Sequence, residues 1–300
     1  MSPGSGRDLT LGALGAFAFG CTILFNRYVA RDGLPPSVAL GVRFAVAGLL
    51  LLGVLAARGR PLLPPAGERL AAFLVGLLLY AVESTLFYMG LERGTAAAVA
   101  LIFYAYPAVI AVAEIVLGAT TWHVRTVLAL TLAISGSAIV AVGGGEVAIS
   151  TTGVLCVIGS IATFTTYVLV TDRVLVRTDA LTVATWTAIG ASIGTSFFGL
   201  VRGQLELPGG SATAALLANG VATAAAFTLF FMALGRMGPT RTAIVMALEA
   251  VFGVVLAAIF LGESVRLVVA VGGALVLAGA IFAALAAPSS IEVKEGATPP

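Results

Sequence analysis

The chain has 300 residues, of which 60% are hydrophobic and only 10% charged, and its mean hydropathy is +1.10. An ordinary soluble domain carries roughly 25% charged residues, so a soluble globule is excluded. A net charge of +2 gives no electrostatic footing for nucleic acid.

Runs of about 20 apolar residues are what a helix needs to cross a bilayer core of roughly 30 Å, and ten such runs follow one another. Span one, 9–30, is preceded by Arg7 and Asp8, carries Gly12, Gly15 and Gly20, and ends at Asn26, Arg27 and Tyr28. That end lacks the small-residue close of a cleaved leader, so the run reads as a membrane span. Span two, 36–57, contains Arg43, and span three, 68–91, contains Tyr80, Glu83 and Phe87. Span four, 95–117, holds LIFYAYPAV at 101–109, with Phe103, Tyr104 and Tyr106 ahead of Pro107, and Glu114 further on. Trp122 and His123 open span five, 123–143, which carries Ser135, Gly136 and Ser137. Spans six to ten cover 151–172, 180–201, 212–235, 241–261 and 265–286, with Phe164 and Tyr167 in span six, Trp186 in span seven and Glu249 in span nine. Span ten carries Gly272, Gly273 and Gly279, and the polar 288–300 segment reads as a disordered tail. Cys21 and Cys156 both fall inside spans and read as apolar fillers, with no disulfide or metal site.

One string is written twice. TLFYMGLER at 85–93 returns as TLFFMALGR at 228–236, an offset of 143. The first copy closes span three and the second closes span eight, so the repeat unit holds five spans. An odd unit makes the second copy enter from the opposite face, which relates the halves by a pseudo-two-fold axis in the membrane plane. The expected architecture is all-α and polytopic: ten transmembrane helices as two inverted five-helix repeats, 9–145 and 146–287, after a short cytoplasmic segment at 1–8. Small-residue faces in spans one, five and ten allow close helix approach.

LGVRF at 40–44, LEAVFGVVLAAIFLGE at 248–263 and GGALVLAGAIF at 272–282, set in two five-span halves, resemble the EamA type of the drug/metabolite transporter superfamily. The likeness covers about residues 9–286, with Ala250 where the second half often has proline and Ala119 where the first half often has glutamate. It implies a secondary transporter of small metabolites needing no cofactor. Within the family the chain is most similar to bacterial aromatic amino-acid exporters, which implies outward transport of amino acids and related drugs.

An ionisable side chain at bilayer centre costs about 2.5–3.5 kcal/mol on insertion scales and needs a partner, a cavity or a function. Arg43 and Glu83 lie at equal depth on consecutive antiparallel spans, a geometry that permits a structural ion pair. The alternative is that Glu83 lines a cavity and contacts a substrate amine or a proton. Tyr80, Glu83 and Phe87 share one helix face, which would set an acid between two rings. Phe103, Tyr104 and Tyr106 read either as packing or as an aromatic pocket wall, and Pro107 as a hinge that kinks span four. Asn26 and Phe164 join the candidates because the resemblance puts spans one and six near the centre. Glu249 reads as an acid that snorkels to the interface or bonds a neighbouring Ser or Thr, Glu114 as an interfacial acid, and Trp122 and His123 as an interfacial belt.

Ten Arg or Lys fall on the side holding both termini and five on the other, which predicts cytoplasmic termini; the resemblance to bacterial exporters implies a bacterial inner membrane. The expected partners are a small-molecule substrate and the lipid bilayer; the sequence points to no nucleic acid and leaves the oligomeric state open. It also leaves a passive channel open as an alternative. An intramembrane enzyme would need a nucleophile with its base or a metal cluster at membrane depth, and no HExxH or GxSG occurs.

Overall fold

In a bilayer every backbone polar group must be satisfied within the chain, which makes long helices the solution for apolar runs of this length. A computed structural model describes residues 3–31, 33–143, 146–204, 211–262 and 266–285, all helix and short connection apart from one isolated bridge. The spans are Pro3–Arg31, Pro36–Ala57, Arg69–Leu91, Ala96–Val116, Val124–Gly143, Thr151–Leu175, Ala180–Val201, Ser211–Met237, Pro239–Leu261 and Leu267–Leu285. Nine are long and apolar enough to cross a membrane by themselves, and the tenth is a shorter apolar helix over the same expected run. Span one begins at Pro3, so the expected separate segment at 1–8 is largely the first turns of that helix. The tail at 288–300 lies outside the described residues.

Polar side chains fix where helices begin. Thr95 accepts from the Ala98 N–H, Ser150 from Gly153, and Asp179 from Leu181 and Thr182, each satisfying orphan donors of a first turn. Glycines fix where helices end, and they do so in matched pairs. Gly59 and Gly203 follow spans two and seven, Gly118 and Gly262 follow spans four and nine, and all four adopt the left-handed backbone that only glycine takes without strain.

The packing obeys the same exchange of halves. Span one packs on span eight and span six on span three; spans two and seven pack on each other, as do five and ten. Every pair maps onto itself or onto its mate when span n is swapped for span n plus five. The expected small faces mediate these contacts. At Gly136 a Cβ would stand 2.6 Å from the Gly272 carbonyl oxygen, and at Gly272 it would stand 2.7 Å from that of Gly136.

Three spans depart from plain α-helix. Span four breaks between Ala96–Phe103 and Tyr106–Val116, and span nine between Pro239–Met246 and Leu248–Leu261. Pro107 denies the Phe103 carbonyl its helical donor, which accounts for the first break. The second occurs with Ala250 in the matching place, so proline is not required for it. Span three contains a π-helical stretch at Val75–Tyr80, directly before Glu83.

Candidate functional site

The breaks and the π-helical stretch face one another around a cavity of about 140 Å³ at the centre of the bundle. Its walls come from both halves. Span three presents Tyr80, Glu83, Ser84, Phe87 and Tyr88, span four Phe103 and Tyr106, and span six Phe164 and Tyr167. Spans one, two, eight and nine close it with Phe19, Asn26, Arg43, Phe230, Met246 and Glu249. The 143 offset pairs Phe87 with Phe230, Phe103 with Met246 and Tyr106 with Glu249, so three positions face the cavity in both copies.

Of the expected site residues, Tyr80, Glu83, Phe87, Phe103, Tyr106, Asn26 and Phe164 are brought together here. Tyr104 is not: it is buried against Phe103, beside the break, and does not reach the wall. A residue two before Tyr106 points well away on a helix, and the short turn at Tyr104 and Ala105 keeps that divergence. Trp186 also lies elsewhere, donating to the Leu62 carbonyl at 2.9 Å and edging Phe73.

The expected ion pair is not formed. Glu83, 6% exposed, accepts from the Ser84 hydroxyl at 3.0 Å and from the Ser160 hydroxyl of span six at 3.2 Å. Arg43, 8% exposed, instead holds its guanidinium 4.5 Å from the Phe44 ring centroid and makes no ion pair with a described carboxylate. Equal depth on two spans permits a pair, but a helix's rotation about its own axis decides whether two side chains meet. An i→i+5 turn adds about one residue, hence about 100° of rotation, to everything that follows it. In span three that turn ends at Tyr80 and sets the face on which Glu83 and Phe87 emerge.

Glu249 is a second correction. It does not snorkel to an interface; it lines the cavity from the first turn of Leu248–Leu261, where the dipole of a half-helix favours a carboxylate. Its partner by offset, Tyr106, donates to the Ala243 carbonyl of span nine at 3.2 Å and ties the two broken spans together. Glu114 likewise is more than an interfacial acid. One of its oxygens accepts from the Thr240 N–H at 2.9 Å and from the Thr240 hydroxyl, capping the first turn of span nine across the bundle. Glu114→Ala is therefore expected to cost about 1 kcal/mol, the usual loss for a removed cap, read as a lowered melting temperature of purified protein with solute binding retained.

Aromatic rings line the cavity without interruption. Phe87 meets Phe103 at 5.0 Å, Phe103 meets Tyr106 at 5.3 Å, Tyr106 meets Phe164 at 5.0 Å, and Phe164 meets Tyr167 at 5.7 Å between centroids. From Tyr167 the chain of rings continues through Tyr80 at 5.0 Å and Phe227 at 4.9 Å beyond that. Phe227, Phe230 and Phe231, toward the Met237 end of span eight, form a cluster of tilted rings of which Phe230 reaches the cavity wall. The wall also includes Tyr167, Phe19, Ser84, Tyr88, Phe230 and Met246, beyond the candidates expected from the sequence. The offset from Phe87 and Phe103 was the available signal for Phe230 and Met246.

The EamA-like transporter family profile matches the chain twice, over residues 8–142 and 151–285. No curated protein matches it. One solved crystal structure, described only as that of a protein, superposes with a TM-score of 0.80 over 94% of this chain and 99% of its own, at 17% identity. At that identity the likeness speaks to the fold alone.

Proposed function

We propose, since this chain belongs to the EamA-like transporter family and is a membrane transporter of small solutes, that its cargo is an amino acid with an aromatic or other hydrophobic side chain, moved outward by alternating access. The observation that carries this reading is the cavity itself: a wall of rings around two carboxylates at mid-membrane depth. Apolar walls with a few convergent polar groups are how proteins hold small ligands, and a cavity of about 150 Å³ suffices for a benzene-sized molecule. Glu83 has two serine donors against roughly four acceptor directions on a carboxylate. Its remaining lone pairs are available to a substrate ammonium.

Fully buried Phe227 and Phe231, packed against Phe230 of the wall, favour a carrier over an open pore, since a channel needs a continuous path. The bias of Arg and Lys toward the side of both termini supports cytoplasmic ends in a bacterial inner membrane. Close glycine contacts between the halves supply faces able to slide during rocking. Counterflow in proteoliposomes tests the reading with phenylalanine, tyrosine, leucine, glutamate and a cationic drug. Phenylalanine, tyrosine and leucine are expected to exchange well above protein-free vesicles and glutamate is not. If none of the three hydrophobic amino acids exchanges, the amino-acid cargo is wrong.

A further inference from the structure

We infer that Arg43, together with the amide of Asn26, is a carboxylate-binding subsite that makes this transporter select zwitterions over amines. The inference rests on the reading of the cavity as a carrier site for amino acids. Its starting point is the missing ion pair. Arg43 is a buried cation on the cavity wall, its Nε is buried without a hydrogen-bond partner, and its guanidinium lies over the Phe44 ring with no carboxylate of the described residues in ion-pair contact. A charged group at membrane depth, left unpaired by its own protein, marks a place where an ion of opposite charge belongs. Guanidinium matches carboxylate in shape as well as charge, through two parallel N–H donors.

The surroundings hold the Arg43 backbone in place and set the Asn26 amide on the same wall. Span eight presses on the Arg43 backbone at Gly220, where a Cβ would stand 3.1 Å from the Arg43 carbonyl oxygen. Beside it, fully buried Asn219 donates to the Asn26 carbonyl oxygen at 2.7 Å. Asn26 lines the same cavity, and its own amide N–H groups remain for a ligand. The same wall carries the two cavity acids, Glu83, already engaged by Ser84 and Ser160, and Glu249. The cavity wall thus carries a cation and an amide from spans two and one, carboxylates from spans three and nine, and a set of rings. A molecule with a carboxylate, an ammonium and a hydrophobic side chain satisfies all three features at once.

Three probes sharing one ring separate these features: phenylalanine, phenethylamine, which lacks the carboxylate, and 3-phenylpropionate, which lacks the amine. In counterflow with the full chain in proteoliposomes, phenylalanine is expected to exchange at least about tenfold faster than phenethylamine, the size of one charge-assisted hydrogen bond. Arg43→Gln is expected to bring phenylalanine down to the phenethylamine rate while leaving that rate unchanged. A purely structural role would lower both rates together. Arg43→Lys, which keeps the charge but not the paired donors, is expected to retain part of the preference. Equal wild-type rates for phenylalanine and phenethylamine overturn the inference while the carrier reading stands. So does an Arg43→Gln protein with wild-type melting temperature and an unchanged ratio. Should Arg43→Gln fail to fold, an unchanged ratio in Arg43→Lys overturns it equally. If no probe exchanges above protein-free vesicles, the amino-acid reading fails and the subsite falls with it.

Discussion

Gly76→Leu is expected to abolish the folded protein, seen as loss of the monodisperse peak in detergent size-exclusion and of a cooperative thermal transition. A Cβ on Gly76 would stand 2.1 Å from the Thr187 carbonyl oxygen and 2.8 Å from that residue's carbonyl carbon. The obstacle is backbone, which cannot rotate aside as a side chain can. The contact is reciprocal: at Gly190 a Cβ would meet the Phe73 carbonyl oxygen at 2.4 Å, and at Gly194 the Leu77 carbonyl oxygen at 2.5 Å. Spans three and seven therefore touch backbone to backbone along the π-helical stretch at Val75–Tyr80. Overpacking a core costs typically about 1–3 kcal/mol even where side chains can shift, and a multi-atom clash against a fixed strand of backbone exceeds that. Membrane helices lack a hydrophobic force drawing them together and depend on close packing, so the loss is not offset elsewhere. Gly53→Leu is the matched control, since a Cβ there meets nothing within 4 Å. It is expected to leave the peak and the melting temperature unchanged. Folded Gly76→Leu with wild-type stability would mean that spans three and seven do not pack this way.

That contact also shows where the sequence was readable and where it was not. Charge and Gly/Pro punctuation located spans two and seven as 36–57 and 180–201, and the helices are Pro36–Ala57 and Ala180–Val201. A twenty-residue apolar run has few ways to satisfy its backbone in lipid, so its ends are legible. The repeat was legible because nine residues of it survive in both copies, at 85–93 and 228–236. Depth in the membrane followed from counting residues from a span end, and it put Arg43 and Glu83 at the same level.

Rotation did not follow from counting. The π-helical stretch has no residue signature in VGLLLY; it arises where Gly76, Gly190 and Gly194 let two backbones meet, a property of two segments far apart in the chain. The break in span nine is similar. Ala250 gives no warning of it, and the break falls where the 143 offset places the one in span four. The expectation of a snorkelling Glu249 misses that the break makes it a first-turn residue on the cavity wall. Ser160 carries no signal either: a serine inside an apolar helix is ordinary, and only the approach of spans three and six makes it the donor that holds Glu83.

Glu83→Gln is expected to lower counterflow of the hydrophobic amino acid that the wild type carries by about 10- to 150-fold, the range set by about 1.5–3 kcal/mol for a hydrogen bond to a charged group. The substitution keeps side-chain length and volume. The amide oxygen still accepts from one serine and its NH₂ donates to the other hydroxyl, so the buried contacts with Ser84 and Ser160 persist and folding is retained. What is lost is the negative charge on the cavity wall. Glu249→Gln offers the comparison. Glu249 has no serine partner and sits at the first turn of a half-helix, so its carboxylate is held by the helix dipole and by what the cavity contains. Replacing both acids is expected to reduce exchange to the level of protein-free vesicles, whereas replacing Ser160 by alanine only loosens Glu83 and lowers the rate modestly. Because two residues facing one ligand act as a unit, the double variant is expected to lose less than the product of the single losses. Folded Glu83→Gln that exchanges the amino acid at the wild-type rate at every pH would remove Glu83 from transport and leave it a structural acid, held by two serines beneath a ring of aromatic side chains.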